Sequence, residues 1–184
     1  DKYALKYENI HVIHKKNGGL VSARKIGVIN SKGKYITFVD ADDWIEKEYI
    51  FSLANKAKDE NADIALCTYN RVTGNIIEKI NNFNKKNELN AEEYLIMALN
   101  PQTGFGYCCI KLFKKNIIKD TRFDRSLLVA EDALFNIQIS KNINKAVVLS
   151  ENLYNYRNNE NSVVKKFNEK YVKKYLNEIK KNKK

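Results

Sequence analysis

The sequence of 184 residues contains little proline, glycine and cysteine. One proline and seven glycines argue against long linkers and low-complexity spacers. No apolar run approaches the ~18 residues of a membrane-spanning helix, and no segment has the pattern of a signal peptide. The three cysteines, Cys67, Cys108 and Cys109, lack the spacing of a zinc site. We therefore expect reduced thiols in a cytoplasmic protein.

Basic residues exceed acidic ones by 33 to 22, a formal charge of +11. Such an excess suits an anionic partner, which leaves nucleic acid, anionic lipid or a phosphate-bearing small molecule open. The segment 163–184 carries nine Lys and two Glu. We predict one domain over residues 1–165 and a basic tail over 166–184, as a solvated helix, a frayed terminus or a peripheral contact with the inner face of a membrane.

The hydrophobic fraction of 43% allows a packed core, and the apolar periodicity predicts alternating strands and helices. Helices are predicted at 20–30, 46–58, 91–99 and 131–140, and strands at 10–13, 35–39, 63–69, 76–80, 107–113, 145–149 and 152–157. We expect the strand at 35–39 to be buried on both faces, and Gly33 to form a left-handed cap after the first helix. This alternation indicates an α/β layered sheet.

Three carboxylates, Asp40, Asp42 and Asp43, directly follow the predicted strand 35–39. Ligands of open α/β sheets bind beyond the carboxyl ends of strands. Crowded carboxylates repel one another, and a divalent cation such as Mg²⁺ or Mn²⁺ relieves that repulsion. The alternative is that Asp42 or Asp43 caps a helix that begins near Trp44.

A glycine-containing turn, Asn17-Gly18-Gly19, leads into the first predicted helix. Free N–H groups at such a helix start can bind an anion, and Arg24 in the second turn can reach a diphosphate. The alternative is a plain strand-to-helix turn with solvated basic residues.

Together these segments closely resemble the family 2 glycosyltransferases. The resemblance rests on Asn17-Gly18-Gly19-Leu20-x-Ser22-Ala23-Arg24, then Gly33-Lys34-Tyr35-Ile36, then Phe38-Val39-Asp40-Ala41-Asp42-Asp43-Trp44. It implies a GT-A fold (a mixed α/β sheet flanked by helices), a nucleotide-diphosphate sugar donor, most often a UDP-sugar, and Mn²⁺ or Mg²⁺. By position, Asp40, Asp42 and Asp43 are the expected metal ligands, and the donor-binding residues are Asn17, Gly18, Gly19, Arg24, Asp40 and Asp42.

Further matches lie late in the chain. Glu131-Asp132 resembles the pair that opens a helix in this family, where the Asp is the general base, so Asp132 is the expected base and Glu131 its neighbour. The pair also fits the preference of a first helical turn for acidic residues. The segments Tyr154-x-Tyr156-Arg157 and Asn161-Ser162-Val163 resemble the family's closing strand and loop. Arg157 is expected near the donor phosphates, although a structural role is equally open. The turn Gly104-Phe105-Gly106 either shapes the acceptor site or serves only as a turn.

One departure concerns the start of the domain. The family's nucleobase-binding segment, with a Pro-x-Tyr-Asn-like strand and an Asp-Asp-Gly-Ser strand end, does not occur in this sequence. We therefore expect the first one or two βα units of the GT-A sheet to be missing, and this chain by itself to bind the donor poorly. The acceptor implied by the family is a glycan or a lipid-linked glycan at a bacterial surface.

Two other functions are compatible with parts of the sequence. A sugar nucleotidyltransferase or another metal-dependent phosphate enzyme would also use an acidic cluster at a strand end. A non-catalytic basic module could bind nucleic acid or membrane through its lysines and its 11 Tyr and 8 Phe. Most of these aromatics fall in core patterns and no nucleic-acid motif occurs, so we expect no nucleic-acid partner.

Overall fold

The computed structural model describes residues 1–81, 86–119, 121, 123 and 131–159. The basic tail and the segment 161–163 lie outside the described residues. The helices are α1 (Gly19–Asn30), α2 (Tyr49–Asp59), α3 (Ala91–Leu99), α4 (Lys115–Ile118) and α5 (Glu131–Ser140). The strands are β1 (Tyr35–Thr37), β2 (Trp44–Ile45), β3 (Ile64–Thr73), β4 (Ile76–Ile80), β5 (Glu88–Leu89), β6 (Lys111–Lys114) and β7 (Ala146–Arg157). None of the helices described is long and apolar enough to cross a membrane.

The described strands form one mixed sheet in the order β1-β6-β3-β7-β2. The long strands β3 and β7 run parallel at its centre, and the other pairs are antiparallel. Strands β4 and β5 extend the sheet alongside β3 and β7, respectively. The helix α2 packs Leu53 and Ala57 against this centre, and both are fully buried. The α/β sheet expected from the sequence is therefore confirmed.

Three of the predicted elements have the bounds that the sequence indicates. Helices 91–99 and 131–140 and the antiparallel strand 76–80 are found with their predicted bounds. Asn90 begins α3 with a capping box, since its side chain accepts from the Glu93 N–H and the Glu93 carboxylate accepts from the Asn90 N–H. Strong local signals of this kind explain why these boundaries can be predicted from the sequence.

The predicted strand at 10–13 is wrong. Residues 10–13 have no regular structure, and Ile10, Val12 and Ile13 are exposed. A strand requires a hydrogen-bonding neighbour, and among the described residues this segment pairs with none. The apolar run alone could not reveal that.

The region around β1 also differs from expectation. Only Ile36 of β1 is buried, whereas Tyr35 and Thr37 on the opposite face of the strand are half-buried. The predicted burial on both faces is therefore wrong. Gly33 is not in the left-handed region. Instead, α1 ends through Ser31, whose N–H donates to Gly27 O and whose hydroxyl donates to Val28 O.

Two later strands differ in extent. The predicted strand 107–113 begins with a short 3-10 turn at Cys108–Ile110, and only β6 is extended. The two predicted strands 145–149 and 152–157 are one strand, β7, with an irregular register opposite Cys67 and Thr68. The polar residues Ser150 and Glu151, which resemble a turn in the sequence, occupy this irregularity within β7.

Candidate active site

The acidic turn after β1 contains Asp40, Asp42 and Asp43. The Asp43 N–H donates to Asp40 O at 3.1 Å, which closes the turn. Strand β2 follows immediately, and α2 begins only at Tyr49. Neither Asp42 nor Asp43 caps a helix, so the helix-cap alternative is wrong. The tight turn instead directs the carboxylates towards the end of the sheet where β7 lies.

Strand β7 holds this turn through Tyr154 and Arg157. The Tyr154 hydroxyl donates to Asp43 Oδ2 at 2.7 Å and accepts from the Asp40 N–H at 3.2 Å. The Arg157 N–H donates to Asp43 Oδ1 at 2.8 Å. Burial raises the pKa of Asp43, and the charges of Asp42 and Asp40 act in the same direction. The structure thus keeps a carboxylate in a place where its own negative charge is unfavourable.

Potential metal ligands come together in this turn. Ligand atoms of Asp40, Asp43 and Cys109 all lie within 4.8 Å of one another. Asp42 is exposed and is not part of this group. Burial raises the pKa of the Cys109 thiol, which keeps it protonated and makes it a poor ligand for a hard cation. The two carboxylates have the chemistry that Mg²⁺ or Mn²⁺ requires.

Arg24 projects from α1 between two carboxylates. Its Nη1 donates to Asp132 Oδ1 at 2.5 Å and its Nη2 donates to Asp40 Oδ1 at 3.3 Å. The guanidinium also lies 5.6 Å from the centre of the Phe38 ring. Its Nε is buried and has no hydrogen-bond partner among the described residues. One donor of the buried guanidinium is therefore left without an acceptor.

Asp132 and Glu131 open α5 as the sequence predicts. The second oxygen of Asp132 accepts from the Cys108 N–H at 3.3 Å, so both carboxylate oxygens have donors. Burial, followed by the charge of Asp132, raises the pKa of Glu131. Arg24 therefore connects the start of α5 with the end of β1, two regions that are far apart in the sequence.

The remaining predicted residues lie at the periphery. Gly19 has φ +79° and its N–H donates to Asn17 Oδ1 at 3.0 Å, so Gly18 lies within a tight local turn at the start of α1. The Arg157 guanidinium is 5.3 Å from the centre of the Trp44 ring. An open groove runs between α1 and β1 and includes Arg24 and Asp40.

Sequence reasoning assigned no role in the site to Tyr154 or to the pair Tyr107 and Tyr156. The rings of Tyr107 and Tyr156 stack with centroids 5.7 Å apart and planes 12° apart. The only sequence signal was the motif Tyr154-x-Tyr156-Arg157. Its meaning depends on the pairing of β2 with β7, which joins residues about 110 positions apart.

Comparison with known proteins identifies relatives of this chain. Residues 1–122 match the family described as glycosyl transferase family 2. Glycosyltransferase GlyA of Streptococcus pneumoniae is 31% identical over 87% of the chain and 24% of its own length. The minor teichoic acid biosynthesis protein GgaB of Bacillus subtilis is 33% identical over 85% of the chain and 17% of its own length.

A solved structure has the same fold. The crystal structure of S. aureus TarS 1–349 in complex with UDP-GlcNAc superposes with a TM-score of 0.68 at 22% identity. The superposition covers 94% of this chain and 51% of TarS 1–349, so the chain spans about half of that protein. This likeness shows the GT-A fold that the sequence led us to expect. With two thirds of its residues matching the family, the chain belongs to glycosyl transferase family 2.

Proposed function

We propose that the protein transfers a sugar from a UDP-sugar to a hydroxyl of a glycan or lipid-linked acceptor, with inversion at the anomeric carbon. The observation that carries this proposal is the position of Arg24 between Asp40 and Asp132. Through these contacts Arg24 brings the acidic turn and the first turn of α5 together. Transfer requires such an arrangement, because the base must lie next to the bound donor. The UDP-GlcNAc bound to TarS supports the donor class, and the role of GgaB in minor teichoic acid biosynthesis supports a cell-surface polymer as the destination of the sugar.

The donor diphosphate is assigned to the groove between α1 and β1. The Arg24 side chain lines this groove, and the glycine turn at Asn17, Gly18 and Gly19 opens α1, whose first N–H groups can donate to phosphate oxygens. Arg157, on the other side of the acidic turn, adds positive charge. These residues bind and orient the leaving group.

Asp40 and Asp43 are assigned as ligands of Mn²⁺ or Mg²⁺. The exposed Asp42 is assigned to contact either the ion, through a water molecule, or the ribose of the donor. The two carboxylates lie close enough to share one ion. When bound, the ion would neutralise the charge that develops on the leaving diphosphate. The hydrogen bonds from Tyr154 and Arg157 fix the orientation of Asp43 before any ion binds.

Asp132 is assigned as the general base. Its oxygens are oriented by Arg24 and by the Cys108 N–H. It would take the proton of the acceptor hydroxyl while that oxygen forms its bond to the anomeric carbon and the bond to the diphosphate breaks. A single base on the face opposite the leaving group gives inversion. Glu131, whose pKa is raised by burial, lies next to the base in the first turn of α5.

We also propose that the chain is part of a larger GT-A domain. The edge of β1 that faces away from β6 is unpaired within the described residues. The adjoining groove is lined by apolar residues of α1, including the exposed Leu20. An additional βα unit would cover both. We place this longer protein in the cytoplasm, at the inner face of the membrane where lipid-linked acceptors occur.

The test is a screen of nucleotide sugars with Mn²⁺ for release of the nucleoside diphosphate. It is run on this chain and on a version extended with the N-terminal segment of a family 2 relative. We expect turnover in the extended chain, dependence on Mn²⁺, and at least a hundredfold loss in Asp42→Ala and Asp132→Asn. Asp59→Ala, an exposed aspartate at the end of α2, is the matched control and should keep full activity.

The products separate this proposal from its alternatives. Free nucleoside diphosphate indicates glycosyl transfer, whereas pyrophosphate would indicate a nucleotidyltransferase. Salt-sensitive binding to mixed-sequence RNA without turnover would favour a basic binding module. Equal activity of Asp132→Asn and Asp59→Ala would overturn the assignment of the base.

A further inference from the structure

The surface beside the carboxylates carries a stacked pair of tyrosines, Tyr107 and Tyr156. Their rings are nearly parallel, with centroids 5.7 Å apart. Tyr107 is 37% exposed and Tyr156 is partly exposed. Beneath them lies Tyr69, which is 3% exposed and meets both rings edge-on, at 5.8 and 6.5 Å. We name Tyr107, Tyr156 and Tyr69 the tyrosine platform.

The platform is held rigidly from below. Gly104 has φ +73°, and a Cβ at this position would lie 2.7 Å from the Tyr69 hydroxyl. The backbone thus approaches Tyr69 as closely as a glycine permits, and this contact fixes the ring that supports the pair. A rigid aromatic surface binds a ligand at little entropic cost, because few rotamers must be ordered.

The platform lies next to both halves of the proposed site. Tyr107 directly precedes Cys108, whose N–H donates to Asp132 Oδ2. Tyr156 directly precedes Arg157, whose N–H donates to Asp43 Oδ1. Burial is the main cause of the raised pKa of both tyrosines. In addition, the charge of Asp132 acts on Tyr107, and the charges of Asp43 and Asp42 act on Tyr156. The pair therefore adjoins, along the chain, the residues that contact the proposed base and the acidic turn.

We propose that the tyrosine platform binds the acceptor, and that the acceptor residue is a pyranose sugar. A pyranose has an apolar C–H face that packs on an aromatic ring, and its equatorial hydroxyls point outwards towards a base. An open-chain polyol phosphate lacks such a face. Neither Tyr107 nor Tyr156 lines the groove between α1 and β1 that we assign to the donor. This inference rests on the proposed function, because it assigns the acceptor side of the same site.

The test uses this chain with ¹³C-labelled tyrosine rings, observed by NMR. The probes are a β-1,4-linked N-acetylglucosamine trisaccharide and ribitol 5-phosphate. We expect the trisaccharide to shift the Tyr107 and Tyr156 signals in a saturable manner, and ribitol 5-phosphate to leave them unchanged. Tyr107→Leu should weaken trisaccharide binding about tenfold, whereas Tyr107→Phe should retain it within about threefold.

The chain supplies its own control. Tyr3 and Tyr7 also form a stacked pair, with centroids 6.5 Å apart and planes 17° apart, and both are exposed. Equal shifts at this pair would show nonspecific stacking and overturn the proposal. So would ribitol 5-phosphate binding at Tyr107, or full binding in Tyr107→Leu.

A parallel titration with Mn²⁺ separates the two proposals. Paramagnetic broadening of the Tyr154 ring signals reports on the acidic turn, since its hydroxyl donates to Asp43. If Mn²⁺ broadens Tyr154 while the trisaccharide fails to shift Tyr107, only the platform assignment is wrong. If neither probe acts, the proposed metal site fails together with the platform.

Discussion

The guanidinium of Arg24 lies between the carboxylates of Asp132 and Asp40, at 2.5 and 3.3 Å. The Arg24 side chain is only 9% exposed, against 21% for Asp132 and 28% for Asp40. A buried cation requires such partners, and two neighbouring carboxylates require a cation. Each group therefore makes the burial of the others possible.

Replacing Arg24 with Met is expected to lower the free energy of unfolding by about 3 kcal/mol, because it leaves two carboxylates facing each other without a cation. Arg24→Lys should cost less, since the charge remains, although one ammonium cannot span both partners as a guanidinium does. Urea unfolding at pH 7 measures these differences.

The matched control for Arg24 is Arg71→Met. Arg71 donates to Glu78 at 3.0 Å in an ion pair whose two side chains are 40% and 57% exposed. Arg71 also hydrogen-bonds with Tyr69. Because its ion pair is exposed and a single hydrogen bond contributes about 1 kcal/mol, we expect a loss of no more than about 1.5 kcal/mol. An equal loss in Arg24→Met and Arg71→Met would contradict the bridging role of Arg24.

Asp43→Asn is expected to weaken Mn²⁺ binding at least tenfold without loss of stability at pH 7. Burial raises the pKa of Asp43, so its ionised form is less favourable in the folded protein than in the unfolded chain. Its contribution to stability is greatest at low pH and is lost as the pH rises through the folded pKa. A neutral amide avoids this cost and can still hydrogen-bond with Arg157 N–H and Tyr154.

Electron paramagnetic resonance of Mn²⁺ and thermal unfolding measure the two effects of Asp43→Asn. Asp59→Asn, outside the site on the exposed end of α2, should change neither. Unchanged Mn²⁺ affinity in Asp43→Asn would remove Asp43 from the set of ligands.

A buried lysine behind the base gives a prediction about pH. Lys111 is fully buried, donates to Asn136 Oδ1 at 2.9 Å and lies 5.1 Å from the centre of the Tyr94 ring. Asn136 in turn donates to Asp132 O at 2.7 Å and Gly106 O at 2.8 Å. The lysine thus supports the first turn of α5. Burial lowers the pKa of Lys111 from 10.5 to about 8.

Because the folded pKa of Lys111 lies below the unfolded one, the unfolded chain binds more protons between pH 8 and 10.5. The contribution of Lys111 to the free energy of unfolding should therefore rise with pH across this range, by no more than about 3 kcal/mol. Lys111→Met has a similar volume and should lack this rise. Urea midpoints at pH 7.5 and 9.5 test it, with the exposed Lys79→Met as control. Identical pH dependence in wild type and Lys111→Met would contradict the lowered pKa.

The sequence predicted those parts of the molecule that depend on local signals. The capping residue Asn90 and the first-turn acids Glu131 and Asp132 are local signals, and α3 and α5 begin where they indicate. That Arg24, Asp40 and Asp132 belong to one site could be predicted only from the family resemblance. Their meeting depends on how α1, β1 and α5 pack together, which no short segment determines.

What the sequence could not supply are contacts between distant strands. The hydrogen bonds of Tyr154 with Asp43 and Asp40 require β7 to pair with β2, and the tyrosine platform requires β3, β7 and the turn before Cys108 to converge. The failed strand at 10–13 has the same cause, because strand formation depends on a neighbour that the apolar run does not specify.

The support of the tyrosine platform can be tested through Gly104. Its φ of +73° disfavours any L residue, and an added Cβ would also meet the Tyr69 hydroxyl at 2.7 Å. Gly104→Ala is therefore expected to lower the free energy of unfolding by about 2–3 kcal/mol and to shift the ring signals of Tyr69.

Gly74 isolates the backbone effect, because its φ is +57° and a Cβ there would meet no atom within 4 Å. Gly74→Ala should cost only about 1 kcal/mol. The difference between the two variants measures the contact with Tyr69, and equal losses would mean that Tyr69 moves aside freely and that the platform is not rigidly supported.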